Sequence, residues 1–555
     1  MCTMTKVGEI SIERHGGADI ARRLAGICGA HFARPAGAAD GVAGAAARWV
    51  AAPGSPEAVT EVVRLAAEHD LSVVARGAGT KLDWGLPPSQ VDIVLDTGRL
   101  AGVWRQPEDE LVAEVGAGTP VRAAEAILER TGRRLPFDVP SVGATVGGVV
   151  AADESGPLRH LHGSPCDQLV GVSYVDASGV LTHVRAGAPA GLGGSGGSGA
   201  TGGSGVAGGS GTGHRPGADR RAEEWPGADA RSAADGRADG PAAPVDPDVA
   251  RLLCGSQGAL GVLVSATLRV QPIPASRAWV TRSVWTPLEM HDLVRAVLDA
   301  ELRPTAIEVD LPGGRVPAGG PRGLGSGGHL PPDGPGVTGA PGPSGPPGWF
   351  GAPDRSVVPA RPTTPVDSAA RGRSGAGRAG AGRARFGEPG AGTLAVLLEG
   401  GPAQVAERVA RLTRLLGGDA RAESTAPAWW RRYPFRPDQV ALRIEVPIHD
   451  LHAAVYALRD AAGSPVPVRG SAGLGVVHAA LPADSSAQRV GTILDGVRAV
   501  LRARSGRCLV VAAPARIRAV VDLWGDLPDL PLRRRIKERF DPARRLAPGR
   551  YPGGI

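Results

Sequence analysis

The run Ala75-Arg76-Gly77-Ala78-Gly79-Thr80-Lys81-Leu82-Asp83-Trp84-Gly85 follows directly after a short apolar strand predicted over residues 71–75. Glycines let a backbone approach a ligand closely, and consecutive N–H groups in such a turn form an anion-binding nest. The Thr80 hydroxyl can donate to a phosphate oxygen, and Lys81 can add positive charge. The alternative at this position is an ordinary turn at the end of a strand.

Two further clusters of small residues follow. Residues 140–150 read Pro-Ser-Val-Gly-Ala-Thr-Val-Gly-Gly-Val-Val, and the chain continues to Ser155-Gly156. Residues 255–263 read Gly-Ser-Gln-Gly-Ala-Leu-Gly-Val-Leu and lead into a predicted strand over 264–270. Taken singly, these are a glycine-rich packing element and a turn before a strand. Two clusters within one ordered region favour a long ligand that carries a pyrophosphate.

Alternating helices and strands are predicted around these clusters. Ser55 is a suitable N-cap, and Pro56 suits the first position of a helix. Further helices are predicted over 120–131, 403–416 and 451–462. Strands are predicted over 91–95, 111–115, 394–398, 440–446 and 508–512, and the turn Asp176-Ala177-Ser178-Gly179 predicts a hairpin of strands 169–175 and 180–184.

Two segments lack hydrophobic periodicity. Residues 186–246 are dominated by Gly, Ser, Ala and Thr, and residues 312–392 are rich in Gly, Pro and Arg. Such segments bury too little apolar surface to offset the entropy lost on ordering. Both are predicted to be disordered insertions that the fold does not need.

The three glycine clusters, in this order, resemble the FAD-binding domain of the vanillyl-alcohol oxidase and p-cresol methylhydroxylase superfamily. A closer resemblance, to the FAD-binding subunit of bacterial glycolate oxidase, rests on Gly-Thr-Lys-Leu-Asp-Trp-Gly at 79–85 and Ser-Gly-Pro-Leu-Arg at 155–159. It rests also on Arg-Gly-Ser-Ala-Gly at 469–473, Arg-Ile-Lys-Glu-Arg-Phe-Asp-Pro at 535–542 and Leu-Ala-Pro-Gly-Arg at 546–550.

The resemblance implies an α+β fold, with a two-subdomain p-cresol methylhydroxylase-type FAD-binding domain and a smaller α+β C-terminal domain. The expected divisions are an N-terminal segment 1–47, the FAD-binding domain 48–275 and the C-terminal domain 276–555. No His stands in the first loop, where covalent members attach the flavin, so FAD is expected to be bound non-covalently. The expected cofactor-binding residues are Arg76, Gly77, Ala78, Gly79, Thr80, Lys81, Pro140, Ser141, Gly143, Thr145, Gly147, Gly148, Ser155, Gly156, Gly258, Gly261 and Val262.

Two positions depart from the family pattern. Relatives usually carry a Lys-Asn-Val-Ala-Gly-Tyr-Asp run before the third cluster, whereas this chain contains no Asn at all. Relatives also tend to carry Arg before the Asp at 167, where this chain has Cys166. Both departures lie in the FAD-binding domain and bear on its affinity for the cofactor.

Cysteine usage and charge narrow the possible functions. The five cysteines form no Cys-x-x-Cys pair, which argues against an iron–sulfur cluster, a zinc ribbon or a disulfide framework. No apolar region follows Lys6 to make a signal peptide, and no run approaches the length of a membrane span. The predicted setting is therefore cytoplasmic, with any membrane association made through a partner complex. The net charge of +7 falls largely in the Arg/Gly tract, which is interpreted as a solvated linker rather than an RNA-binding segment.

Other candidate residues carry weaker signals. His160 and His162 lack a carboxylate cluster and are interpreted as surface residues rather than metal ligands. His478 suits a base facing the flavin, although a structural histidine is the favoured alternative. Trp429, Trp430 and Trp524 are interpreted as packing residues, so no catalytic residue and no metal site is assigned.

Three functions compete. The first is an oxidoreductase subunit that oxidises a small 2-hydroxy acid and passes electrons to a partner. The resemblance implies a second flavoprotein subunit and an iron–sulfur subunit as those partners. The second is a non-catalytic, FAD-carrying or structural subunit of such a complex, and the third, a remote one, is an RNA-binding protein.

Overall fold

The structure, a computed structural model, describes residues 5–186, 248–313 and 391–555, with side chains from residue 17 onward. The described helices are α1 (Thr5–Cys28), α2 (Pro56–Glu68), α3 (Val121–Glu129), α4 (Val146–Ala152), α5 (Arg159–His162), α6 (Pro165–Gln168), α7 (Val249–Leu253), α8 (Pro287–Asp299), α9 (Pro402–Leu416), α10 (Leu451–Ala462), α11 (Ala487–Arg502), α12 (Ala515–Arg518) and α13 (Leu530–Phe540).

The described strands form four sheets. They are β1 (Ala33–Pro35), β2 (Trp49–Ala51), β3 (Val73–Arg76), β4 (Ile93–Asp96), β5 (Val103–Arg105), β6 (Val112–Gly116), β7 (Arg133–Arg134), β8 (Leu169–Val175), β9 (Leu181–Arg185), β10 (Val262–Arg269), β11 (Gln271–Pro272), β12 (Ser276–Val284), β13 (Ala306–Leu311), β14 (Gly392–Gly400), β15 (Arg421–Glu423), β16 (Val440–Glu445), β17 (Val468–Ser471), β18 (Val476–Leu481) and β19 (Arg507–Ala512).

The first lobe is built on two sheets. One has the order β1-β2-β4-β3, with β2, β4 and β3 parallel, and the other is the antiparallel sheet β5-β6-β10-β8-β9. Helix α2 begins as predicted, because Ser55 accepts a hydrogen bond from the Ala58 amide at 3.2 Å and Pro56 takes the first helical position. The predicted hairpin is β8 and β9, whose turn is held by bonds from the Ser178 and Val180 amides to Asp176.

The second lobe is an eight-stranded antiparallel sheet in the order β15-β12-β14-β13-β17-β18-β16-β19. Helices α8 to α11 contribute apolar side chains to a buried core that also contains side chains of this sheet, among them Val294, Leu412, Leu458 and Ile493. Because side chains alternate between the two faces of a strand, every second residue points away from that core. Along several of these strands those residues are charged, and they face the first lobe.

The chain's last residues return to the first lobe. The Val73 amide donates to Arg545 O and the Ala547 amide donates to Val73 O, both at 2.8 Å, so residues 545–547 lie along the free edge of β3. Lys537 is fully buried, and its ammonium group donates to Ala259 O, Leu546 O and Asp541 at 2.6–2.8 Å. All three N–H donors are satisfied, which offsets the cost of burying the charge. The domain division at 276 stays a prediction, and these contacts cross it.

The N-terminal segment and the insertions differ from expectation. Residues 1–47 were assigned no element, but they contain α1 and β1, and Ile20 and Leu24 of α1 are buried beside α2. The predicted insertions 186–246 and 312–392 lie largely outside the described residues. At their edges, the Ala186 amide donates to Val170 O of β8 at 2.8 Å, and Gly392 is the first residue of β14.

Candidate active site

The first glycine cluster forms one wall of a cleft at the end of β3. Gly79 adopts a φ of +76°, a conformation that side-chain-bearing residues rarely take. Among the described residues, no acceptor contacts the N–H groups of Gly77, Ala78, Gly79 and Thr80. The cleft is also lined by Thr145, Gly148 and Gln257. A row of backbone donors without partners in the described structure, placed around an open cleft, suits a pyrophosphate.

The second glycine cluster faces the same cleft through the start of α4. Thr145 is the N-cap of α4 and accepts a bond from the Gly148 amide at 3.3 Å. A Cβ at Gly77 would overlap the Thr145 hydroxyl. Gly77 is therefore needed for the close approach of the two predicted motifs to each other, whether or not a ligand is bound.

The basic side chains of the loop are already paired with acidic side chains. Arg76 forms ion pairs with Asp96 at 2.8 Å and Asp40 at 3.0 Å. Lys81 pairs with Glu154 and donates to Ser141 Oγ at 3.1 Å. The expected extra positive charge of Lys81 is therefore neutralised by a carboxylate, and the loop can offer a ligand its backbone N–H groups.

The remaining predicted residues lie in several different places. Pro140, Ser155 and Gly156 line a neighbouring cavity. Gly147, Gly261 and Val262 are packing residues, because a Cβ at either glycine would clash with neighbours and Val262 is buried in β10. Gly143 lines neither space, and Gly258 has a φ of +76° and lies beside Ala75, while Gln257 lines the cleft.

The second cavity lies between the two lobes. It shares Lys81, Trp84 and Ala152 with the first cleft, so the two spaces are adjacent. The first lobe contributes residues 152–159 to its wall, and the eight-stranded sheet contributes the opposite wall. An elongated ligand in the first cleft can therefore reach a chamber walled by the sheet.

Three ionisable side chains form a row on the sheet wall. Arg443, His478 and Arg469 lie directly opposite one another on β16, β18 and β17. Residues opposite each other on neighbouring strands project from the same face. Arg469 forms an ion pair with Asp310 at 2.8 Å, and Arg443 forms one with Glu445 at 2.6 Å. The Arg443 Nε atom is buried and has no partner among the described residues.

His478 is a neutral base at the centre of this row. Burial and the neighbouring Arg443 guanidinium lower its pKa to about 3. Its ring meets that of Tyr433 edge-on, with 4.9 Å between centroids, and its nitrogens have no hydrogen-bond partner among the residues the structure describes. It lines the cavity, whereas a satisfied structural histidine was the favoured expectation. An unprotonated imidazole without a described partner can accept a hydrogen bond from a ligand in the cavity.

Two carboxyl groups are buried near the same cavity. Burial raises the pKa of Asp138 to about 7, and burial together with Asp138 raises the pKa of Glu308 well above its usual range. Asp138 accepts a bond from the Leu158 amide at 2.8 Å. Glu308 Oε1 and Ser471 Oγ are buried without partners in the described structure.

Several charged residues on the sheet wall were not singled out from the sequence, although the pattern of the strands contains a signal for them. Strand β13 reads Ala-Ile-Glu-Val-Asp-Leu, so Glu308 and Asp310 recur with the period of two that places them on one face. Arg443 and Glu445 do the same on β16. Tyr433 lies between elements and offers no comparable signal.

The other histidines and tryptophans are placed as follows. His160 and His162 are half-buried rather than surface residues, and each has one ring nitrogen buried without a partner among the described residues. Trp430 packs on Trp279 with 6.0 Å between ring centroids, as expected of a packing residue. Trp429 lines the cavity instead.

The cysteines correct one expectation. Cys166 and Cys254 form a disulfide, with 5.8 Å between their Cα atoms, although the absence of a Cys-x-x-Cys pair argued against such bonds. The two residues are 88 positions apart and meet where α6 and α7 lie beside the end of α4, a proximity that spacing does not reveal. With Asp153 they are the one group in the described residues spaced for metal ligation, and as a disulfide they are not thiolate ligands.

Residues 47–185, which run from just before β2 to β9, match the family model described as an FAD binding domain. Residues 47–185 form an FAD-binding domain. FAD is therefore the cofactor, and the free N–H groups of residues 77–80 and the adjacent clefts fit it. Within the described part of the chain, no helix combines the length and apolar character that crossing a membrane requires.

Relatives in sequence include glycolate oxidase subunits and a lactate dehydrogenase. Glycolate oxidase subunit GlcE of Escherichia coli is 25% identical over 45% of this chain and 56% of its own length. The D-lactate dehydrogenase of Archaeoglobus fulgidus is 29% identical over 24% of this chain and 30% of its own length. Glycolate oxidase subunit GlcD of Bacillus subtilis is 29% identical over 25% of this chain and 29% of its own length. The chain spans less than two thirds of the length of each.

Solved structures confirm the fold. An alkyldihydroxyacetonephosphate synthase aligns over 96% of this chain and 84% of its own with a TM-score of 0.56 and 13% identity. The 4-ethylphenol oxidase from Gulosibacter chungangensis aligns over 96% of both chains with a TM-score of 0.56 and 14% identity. The predicted α+β fold with a p-cresol methylhydroxylase-type FAD-binding domain is therefore confirmed.

Proposed function

We propose that the FAD-binding chain is an oxidoreductase subunit that oxidises a small 2-hydroxy acid and passes the electrons to a partner. The observation that carries the proposal is the row of Arg443, His478 and Arg469 facing the cavity beside the cofactor cleft. Bound FAD supplies the acceptor for a hydride. Among known relatives, the named glycolate oxidase subunits and the lactate dehydrogenase support the same substrate class.

The residues of the row have different roles in this proposal: an arginine binds the substrate carboxylate, and the histidine accepts a proton. A guanidinium group binds a carboxylate through charge-assisted hydrogen bonds, and the buried Arg443 Nε has no partner within the described residues. His478 then accepts the proton of the 2-hydroxyl group as the hydride leaves, since its ring nitrogens have no partner among the described residues. Tyr433 packs against this ring and helps to fix its orientation.

The cofactor is held by the backbone of residues 77–80, the start of α4 and the segment 155–156 in this proposal. Since no His stands in the first loop, we expect the flavin to be dissociable. Acid precipitation should release all the flavin into the supernatant. Yellow colour kept by a washed pellet would contradict the non-covalent assignment.

Substrate oxidation is tested by anaerobic bleaching of the flavin bands. Glycolate or lactate should reduce the absorbance near 450 nm in the wild-type protein. His478→Gln should slow this step by about 10²–10⁴-fold, the usual contribution of a general base, without loss of bound flavin. Full-rate bleaching by the variant would remove His478 from the mechanism.

A second candidate is a non-catalytic, FAD-carrying subunit. It is favoured by the ion pairs of Arg469 with Asp310 and Arg443 with Glu445, which partly satisfy both arginines within the sheet. An unbleached flavin with every 2-hydroxy acid, alone and with partner subunits added, would support it. The proposed partners are a second flavoprotein subunit and an iron–sulfur subunit.

A further inference from the structure

The sheet wall of the second cavity carries a second row of polar groups, beside the row formed by Arg443, His478 and Arg469. Glu308 on β13 lies directly opposite Ser471 on β17, and both residues line the cavity. Ser471 is two positions from Arg469 on the same strand, so the two rows project from the same face of the sheet. A ligand held by the first row is therefore within reach of the second.

Both members of this second row have a polar atom without a partner. Glu308 is only 6% exposed and Ser471 only 8%. Neither Glu308 Oε1 nor Ser471 Oγ has a hydrogen-bond partner among the residues that the structure describes. Because a buried polar atom without a partner is costly, the two atoms favour a ligand that supplies one.

Glu308 is held in the carboxylic-acid form. Burial and the nearby Asp138 carboxyl group raise its pKa well above the ordinary value, and the Ser471 hydroxyl opposes this with a smaller effect. The pKa of Asp138 is itself raised to about 7, chiefly by burial. The two acids therefore keep at least one proton between them near neutral pH. A protonated carboxyl group can donate a hydrogen bond, which a carboxylate cannot.

The charged surroundings place this proton on Glu308 rather than on Asp138. Arg431 Nε lies 3.7 Å from Asp138 Oδ2 and favours the ionised form of Asp138. No described residue forms an ion pair with Glu308, and its neighbour on β14 is the uncharged Ala395. The other titratable groups that act on the pair or pack beside β13 are Glu125, Glu399, His160 of α5, Asp310 and Arg469. Glu399 is paired with Arg134 and Asp310 with Arg469, so none of them neutralises Glu308.

We infer from this arrangement that Glu308 donates a hydrogen bond from its carboxylic acid to an oxygen of the bound substrate anion, so that the anion binds together with a proton. The inference rests on the proposed binding of the substrate carboxylate at the sheet wall. An ionised Glu308 would place a second negative charge beside that carboxylate and would offer it no donor. Affinity for the anion therefore falls as pH rises and Glu308 loses its proton, by up to about tenfold per pH unit.

Calorimetry on the flavin-loaded protein measures this proton directly. The probe is 2-hydroxy-2-methylpropanoate, which carries the carboxylate and the 2-hydroxyl group but has no hydrogen on C2 that could leave as a hydride. Titrations at pH 7, 8 and 9, in buffers of different ionisation enthalpy, give the number of protons taken up for each anion bound. We expect uptake of up to one proton by the wild-type protein, and an affinity that falls from pH 7 to pH 9.

Substitutions assign the proton to its carrier. Glu308→Gln keeps a neutral donor that cannot ionise, so it should bind the probe as the wild-type protein does at pH 7, take up no proton and keep that affinity up to pH 9. Glu308→Leu removes the donor and should bind about tenfold to hundredfold more weakly. Asp138→Asn should move the fall in affinity to lower pH, since Asp138 raises the pKa of Glu308. Glu407→Gln, which changes an exposed acid of α9, should behave as the wild-type protein.

The outcomes separate this inference from the proposed oxidation. Binding of the probe by the wild-type protein without proton uptake overturns the inference, and that result needs no variant. Equal proton uptake by Glu308→Gln and the wild-type protein overturns it as well. If 2-hydroxy acids bleach the flavin while the probe binds without a proton, only this inference fails. If the probe binds with a proton while no 2-hydroxy acid bleaches the flavin, only the proposed oxidation fails.

Discussion

The Tyr433 hydroxyl donates a hydrogen bond to Glu154 across 2.9 Å, and this bond joins the two lobes where the cofactor cleft meets the second cavity. Glu154 also accepts from Lys81 and from the amide and hydroxyl of Ser141. Burial and the neighbouring Glu154 carboxylate raise the pKa of Tyr433 well above its usual range, so the phenol remains a donor. The Glu154 carboxylate thereby links the first glycine cluster, the second glycine cluster and the second lobe through hydrogen bonds.

Tyr433→Phe removes one donor from a buried carboxylate. We expect the free energy of unfolding to fall by about 1.5–3 kcal/mol, the value of a hydrogen bond to a charged group. Chemical denaturation measures the change. Tyr456→Phe is the matched control, because Tyr456 is 39% exposed and its hydroxyl has no hydrogen-bond partner in the described structure. Equal effects of the two substitutions would contradict the role of the bond.

Gly79→Val should abolish flavin retention. The substitution forces a β-branched residue into a φ of +76° and places atoms at the mouth of the cleft. Flavin absorbance per mole of purified protein measures retention, and circular dichroism checks folding. Gly132→Val is the control, because Gly132 has a φ of +68°, nothing within 4 Å of its Cβ position and no place in either cavity. Loss of flavin from both variants would point to strain alone.

Thr80→Val tests the hydroxyl separately. Thr80 is exposed in the cleft and lacks a partner within the described residues, so its hydroxyl is available to a phosphate oxygen. Removing a hydrogen bond to a charged group should weaken FAD binding about tenfold to hundredfold. Titration of the apoprotein with FAD gives the dissociation constant. An unchanged constant would show that the loop binds through its backbone alone.

His478 should make stability depend on pH. Its folded pKa of about 3 lies below the ordinary value of 6.5, so the unfolded chain binds the extra proton between those values. Stability therefore rises with pH through this window and levels off above it. At pH 5.5 the contribution is a loss of about 1.4 kcal/mol relative to pH 7.5. Denaturant unfolding at both pH values should show a loss smaller by that amount in His478→Gln; identical losses in the two proteins would refute the assignment.

The Cys166–Cys254 disulfide should stabilise the first lobe. It closes a loop of 88 residues, and disulfides of this kind typically contribute about 2–5 kcal/mol. Peptide mapping without reduction should recover the two cysteines on one linked species. A reductant should lower the melting temperature of the wild-type protein and of Cys508→Ala, but not that of the Cys166→Ser, Cys254→Ser double variant. A drop in all three proteins would show that another bond is responsible.

Local chemistry made much of the fold predictable. Ser55 and Pro56 predict the start of α2, and the turn at Asp176 predicts the pairing of β8 with β9. Helix α1 was missed because Gly8, Gly16 and Gly17 disfavour a helix, and packing of Leu24 in the core overrides that preference. Tertiary contacts again decide the outcome where local preference is weak.

The cofactor loop was predictable for the same reason, since glycines are needed within a few residues of one another. The second cavity was not. Tyr433 and Glu154 are 279 residues apart, and the row of Arg443, His478 and Arg469 exists only once three strands are in register. The disulfide likewise depends on the meeting of α6 and α7. Contacts between residues so far apart in the chain cannot be predicted from their spacing in the sequence.

The return of the chain's last residues to the first lobe bears on how that lobe assembles during synthesis. Arg550 donates to the carbonyls of Lys81, Leu82, Trp84 and Leu86, so the segment after the first glycine cluster is fastened by a residue 464–469 positions later. At translation rates of about 5–20 residues per second, the ribosome needs roughly 20–90 seconds to cover that distance. During this interval the nascent first lobe lacks the edge partner of β3 and the buried Lys537. We therefore expect the segment after the first glycine cluster to be fastened only after the C-terminal segment has emerged.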